Sequence, residues 1–138
     1  MNKQAYEFFN SARVLHWAFL RLKAKHDELE SCLLPAGIRY DKDKVQTSAD
    51  DTISKLVSEI TDLEHRMDIL LRAKAKRIEK IEAVIKDLPQ EEWQTALTLR
   101  FINRQPVSEI AEQMGYAEPT IYKFMNQGAE YLVKNKRV

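Results

Sequence analysis

Lys123, Asn126 and Gln127 fall within about one helical turn, with Thr120 and Tyr122 just before them. These side chains carry the donors and acceptors that read a nucleic-acid duplex. An Asn or Gln carboxamide can bond adenine edges, a Lys ammonium guanine or phosphate, a Thr hydroxyl a base or phosphate, and a Tyr hydroxyl a phosphate oxygen. Between them run Ile121, Phe124, Met125, Gly128, Ala129 and Leu132, whose spacings of three, four and seven share one helix face. If that face points inward, the helical step sends Pro119, Lys123, Asn126 and Glu130 outward, with Thr120, Tyr122 and Gln127 on the flanks.

Such a row is useful only on a helix held at a fixed angle, and the preceding residues predict the holder. Ala96, Leu97, Phe101 and Ile102 put apolar residues at helical spacing, and Ile110, Ala111 and Met114 repeat the pattern after a break at Asn103 to Pro106. Gly115 closes the second of these helices, at a point where a left-handed turn favours glycine. A third helix follows at once, over about 118–133. Two helices packed under an exposed third make a helix-turn-helix, which presents one face to the major groove. The capping positions are weak: Ala117 and Pro106 stand where a hydroxyl would cap each helix, and losing a cap costs about 1 kcal/mol.

Leu99-Arg100-Phe101, Glu109 to Tyr116 and Thr120-Ile121-Tyr122-Lys123 resemble the promoter-reading C-terminal region, region 4, of bacterial sigma factors. Over residues 40–133, including Val45-Gln46-Thr47-Ser48, the chain is similar to small phage and prophage late-transcription regulators of the ArpU/RinA type. The resemblance implies a phage-encoded activator of late promoters that touches RNA polymerase. It places Glu118, Pro119, Thr120 and Lys123 closest to the bases. Where sigma factors usually have basic residues at the start of this helix, the chain has Glu118, Pro119 and Thr120, so the element read would differ.

Upstream, Phe8, Ala12, Leu15, Phe19, Leu22, His26, Leu29 and Leu33 step by four and three, the seam of a long amphipathic helix over about 4–34. Phe9, Trp17 and Leu20 lie off that seam and call for a further surface, either the C-terminal globule or a second copy. Pro35-Ala36-Gly37 is expected to stop the helix, and Ser48 with Asp51 to start the next. That second helix, about 49–88, has a seam of Ile53, Leu56, Ile60, Leu63, Met67 and Leu70. Lys74 takes the next apolar slot, and the pattern resumes at Ile78, Ile81, Ile85 and Leu88 with one residue added. A step of this kind lets the packing partner change. Pro89 is expected to end this helix and open the next.

The fold class expected is therefore all-α: a long antiparallel helical hairpin over 1–88, with loop 35–48, followed by a helix-turn-helix domain over 89–138. Few residues interrupt the helices, with three Gly and four Pro in the chain. Cys32 stands alone, so no internal disulfide can form. The start of the chain lacks the basic and apolar runs of a signal peptide, and no stretch suits a membrane span, which points to the cytoplasm and no membrane partner. His16, His26 and His65 have no ligand-spaced Cys or His near them, so no metal or other cofactor is expected. His26 reads as a register device or a packed neutral imidazole, and Trp17 and Trp93 as core anchors. With no phosphate loop and no nucleophile beside a base, the chain does not read as an enzyme.

A formal net charge of +1 argues against a protein that holds DNA through its field alone. Arg100, Arg104, Lys134, Lys136 and Arg137 are candidate phosphate contacts, the last three on a tail expected to fray. The basic run Arg72 to Lys80 reads more simply as a solvated face. Isolated binding should be weak and salt-sensitive, with dimerisation through the hairpin or RNA polymerase supplying the rest. The function expected is sequence-specific DNA-binding transcription regulation with duplex DNA as partner. The rivals are a small-terminase-like packaging subunit, and an interaction protein that captures polymerase or a sigma factor without touching DNA.

Overall fold

Apolar residues recurring every three or four positions, with few glycines or prolines between them, leave the helix as the arrangement that satisfies the backbone and gathers those residues on one side. In a computed structural model that describes residues 1–39 and 46–138, with the backbone alone for 34–39 and 46–49, the chain is all-α. Helix α1 spans Lys3–Arg39 and α2 spans Gln46–Lys86, about 55 and 60 Å long respectively. Helix α3 is Glu91–Leu97, a π-helical turn covers Thr98–Ile102, α4 is Val107–Met114 and α5 is Glu118–Lys134. No helix of the described residues is long and apolar enough to cross a membrane.

Three expected boundaries move. Helix α1 does not stop at Pro35 but continues to Arg39. A proline's fixed φ is itself helical, so the helix forfeits one hydrogen bond without having to end there. Pro89 does not open α3, which begins at Glu91 after an N-cap at Gln90. The last turn of α2 closes through Asp87 and Leu88 bonding back to Val84 and Ile85. Helix α2 begins at Gln46, ahead of the start expected at Ser48, so the loop is shorter than 35–48; the Ser48 side chain, and the charged run Arg39 to Lys44 beyond the Arg39 backbone, lie outside the described residues.

The chain resolves into two compact units, one comprising Met1–Arg13 with Ala75–Val138, the other Val14–Lys74. Both boundaries fall inside the long helices rather than at Leu88–Pro89. The first unit's core gives Phe9 the C-terminal globule as its further surface, one of the two the sequence left open. Ala5, Phe9 and Ala12 from α1 are buried there with Ile81, Val84, Ile85 and Leu88 from α2, and with residues of α3 to α5. Phe9 stacks on Phe101 with ring centroids 5.2 Å apart, and Tyr6 meets the same ring edge-on. The tail is tied down, not frayed. Lys136 adopts a left-handed φ of 56°, the Arg137 amide donates to Leu132 O, and the Arg137 guanidinium pairs with Asp87. The Gln4 carboxamide donates to Val138 O at 2.8 Å.

In the second unit α1 and α2 run in opposite directions. His26 Nε2 meets Glu64 at 3.1 Å and Lys74 Nζ donates to His16 Nδ1 at 3.2 Å, so ten residues forward on one helix is ten back on the other. Lys74, the polar residue in the seam, thus lands where the units divide. Ile60 and Leu63 are this unit's buried hydrophobic residues among those described, whereas Trp17 is 45% exposed and so no core anchor.

Candidate nucleic-acid interface

The C-terminal part of the first unit is built by successive stops. Thr98–Ile102 widens into a π turn, and Arg104 then takes φ 59°, a left-handed conformation uncommon for a side-chain-bearing residue. This reverses the chain into α4. The reversal is clamped by the Gln105 amide donating to Leu99 O at 3.0 Å and by Arg100 Nη1 donating to Gln105 O at 3.1 Å. Pro106 is the N-cap of α4 and supplies no side-chain bond, as its lack of a hydroxyl requires. Gly115 has the left-handed φ of 76°, and the amides of Gly115 and Tyr116 both donate to Ala111 O, the closure by which a helix satisfies its last carbonyls. Three residues separate α4 from α5. Tyr116 packs edge-on against Phe124, centroids 5.0 Å apart, which fixes the turn to the helix it feeds.

Helix α5 begins with Ala117 as an N-cap that makes no side-chain bond and with Pro119 in its first turn. Glu118 sits there too, where the exposed amides favour negative charge. Ile121, Met125, Gly128, Ala129 and Leu132 are buried. Gly128 is required by a close approach: a Cβ there would lie 3.0 Å from Leu97 Cδ1 and 3.3 Å from Trp93 Cβ. With that face seated, Glu118, Pro119, Tyr122, Lys123 and Asn126 are exposed, and Thr120 and Gln127 are half-buried. The structure thus gathers all seven residues singled out in the sequence along one helix.

One of the seven is already engaged. Trp93 Nε1 donates to Gln127 Oε1 at 3.2 Å, so α3 holds the carboxamide by its oxygen and leaves its amino group as the free end. Adenine recognition by Gln uses both ends, so this bond favours donation to an acceptor. Trp93, half-buried and tilted against Tyr131, lines a shallow depression with Gln127, Glu130, Tyr131 and Lys134. Sequence spacing gave no sign of this partnership, because the two residues lie on different helices 34 positions apart.

The candidate phosphate contacts are not equally available. The Arg100 guanidinium is half-buried and committed to the α3–α4 turn, and Arg137 is paired with Asp87. Burial, followed by the charge of Arg13, lowers the Arg104 pKa. Lys134 and Lys136 are exposed. A formal count of positive charges missed this, because a guanidinium's many donors serve backbone carbonyls and carboxylates as readily as phosphate. No family model, curated protein or solved structure matches this chain.

Proposed function

We propose that the chain is a sequence-specific DNA-binding regulator of transcription that lays the first half of α5 in the major groove. The observation that carries this reading is the division of α5. One side is buried through Ile121, Met125, Gly128, Ala129 and Leu132, while Glu118, Pro119, Tyr122, Lys123 and Asn126 stand exposed on the other. Lys123 and Asn126 supply base-edge contacts, Thr120 and Tyr122 contact the backbone, and Gln127 donates from the end that Trp93 leaves free. Lys134 and Lys136 are available for phosphate. The resemblance to late-transcription regulators of the ArpU/RinA type makes the target a phage late promoter and adds RNA polymerase as a partner.

The test is fluorescence anisotropy of the full chain against a library of duplexes, at about 50 mM salt, where non-specific phosphate attraction is still strong. One duplex class should be preferred. Lys123→Ala combined with Asn126→Ala should weaken that preferred complex about 100-fold, since each well-made base contact contributes roughly 1–3 kcal/mol. Binding to no duplex of any sequence would overturn the reading. Capture of polymerase undiminished in the double variant, with no DNA binding by the parent chain, would favour the interaction protein instead.

A further inference from the structure

The unit formed by Val14–Lys74 is electrically two-ended. Among its described residues, one half comprises 14–25 of α1 and 66–74 of α2. It carries Arg21, Lys23, Lys25, Arg66, Arg72 and Lys74, against the single carboxylate of Asp68. The other half comprises 26–33 and 50–65. It carries Asp27, Glu28, Glu30, Glu59, Asp62 and Glu64, with Asp50 and Asp51 beyond them, and Lys55 is its one Lys or Arg. The antiparallel pairing set by His26–Glu64 and His16–Lys74 brings like charge together at each end. Little of this is neutralised internally. Lys23 pairs with Asp27 where the halves adjoin and Arg72 with Asp68, while Arg21, Lys25, Arg66, Glu28, Glu59 and Asp62 make no ion pair among the described residues.

The same unit is short of a core. Val14, Leu20, Val57, Ile69 and Leu71 are each more than two-fifths exposed, with Ile69 at 53%. Two helices cannot enclose side chains on more than one seam, and four can.

We infer that this unit binds a second copy of itself, antiparallel, about a two-fold axis at the level of Lys25 and His65. The pattern selects that occupant. Halves of opposite sign on one element are satisfied twice over by an isologous contact, which places each half on the other's counterpart. A foreign partner of one sign would leave one half opposed. The levels also agree. Arg21 is four residues from the axis and reaches the level of Leu29 and Thr61, beside Glu28, Glu30 and Asp62 of the second copy. Trp17 and Val57, each eight residues out, come opposite one another. This inference does not depend on DNA binding.

The experiment uses the full chain in three forms, with mass measured by light scattering at micromolar concentration. The wild type should be a dimer. Arg21→Glu with Lys25→Glu sets acidic residues beside Glu28, Glu30 and Asp62 of the second copy, and Glu28→Lys with Asp62→Lys sets basic residues beside its Arg21 and Lys25. Each variant alone should be monomeric, its dissociation constant raised by roughly 100-fold or more by like-charge contact. An equimolar mixture should restore the dimer as a heterodimer, which misfolded variants could not do. Nitroxide labels on Cys32, the sole cysteine, should lie about 20 Å or more apart, because Cys32 is seven residues from the axis. A monomeric wild type, failure of the mixture to pair, or Cys32 labels at one level as in a parallel dimer would each overturn the inference.

Discussion

Phe9 and Trp17 stand eight residues apart on one unbroken helix, yet they belong to units finished to different degrees. Phe9 is 1% exposed and stacked on Phe101, within a core that draws on every helix of its unit. Trp17, the larger side chain, is nearly half exposed in a unit whose buried hydrophobic residues, among those described, are Ile60 and Leu63. A heptad seam specifies which face of a helix is apolar; how many neighbours close over that face is decided by the rest of the chain. The sharpest way to break the comparison is to truncate both rings. Phe9→Ala should cost about 3–5 kcal/mol, the penalty for emptying an aromatic site in a packed core. Trp17→Ala should cost less than about 1 kcal/mol in dilute, monomeric protein. Urea unfolding followed by Trp93 fluorescence measures both. Equal losses would mean that the two units are equally closed.

Within the first unit, the contrast between a packed site and an open one can be read from its two described glycines. Gly128→Val should destabilise by about 2–3 kcal/mol, because the added carbons meet Leu97 and Trp93 at closer than ordinary contact and both neighbours are hemmed in. Gly115→Ala meets nothing within 4 Å. It should cost only about 1 kcal/mol, the conformational penalty of a left-handed residue with a side chain. Thermal unfolding of both variants orders them, and a reversed order would show that the turn, not the α3–α5 contact, limits this unit.

Much of this was legible in the sequence. The buried face of α5, the glycine closing α4 and the helical class all follow from local spacing and backbone chemistry. The missing caps at Pro106 and Ala117 follow as well, since a residue without a side-chain acceptor cannot cap. Lys74, read as a fault in the seam, marks where the units divide. What escaped depends on contacts between residues distant in sequence. Nothing near Phe9 announces Phe101, nothing near Gln127 announces Trp93, and nothing near Arg137 announces Asp87. The tail looked free because basic ends usually are, yet it is held by the Arg137 amide on Leu132 O, the Gln4 carboxamide on Val138 O and an ion pair. The neutral-imidazole reading of His26 fails for the same reason. On its own seam it reads as a polar residue in an apolar slot, and only the folded hairpin brings Glu64 to it.

That imidazole gives the finest separation of the two units. His26 lies 3.1 Å from Glu64, 3.3 Å from Asp27 and 3.6 Å from Glu30, and the bond to Glu64, then that to Asp27, raises its pKa above the ordinary value. It is therefore a cation-favouring site and not the neutral packed ring its sequence position suggested. A group whose pKa is higher folded than unfolded adds stability that is fully present below the unfolded value, about 6.5, and is lost as pH rises through the folded one. Asp27 works in the opposite sense. Lys23 first, then His26, lowers its pKa, so its contribution holds above the usual carboxylate value and fades as pH falls through the lowered one. The Val14–Lys74 unit should accordingly lose stability as pH climbs above about 6.5 and through the raised value of His26. The other unit should not follow, because all three histidines lie between residues 14 and 74. Hydrogen exchange resolved by segment across that range provides the measurement, with His26→Gln as the control that should flatten the slope. If wild type and His26→Gln lose protection alike, the imidazole has no part in joining α1 to α2, and the unit's cohesion rests on its sparse apolar seam alone.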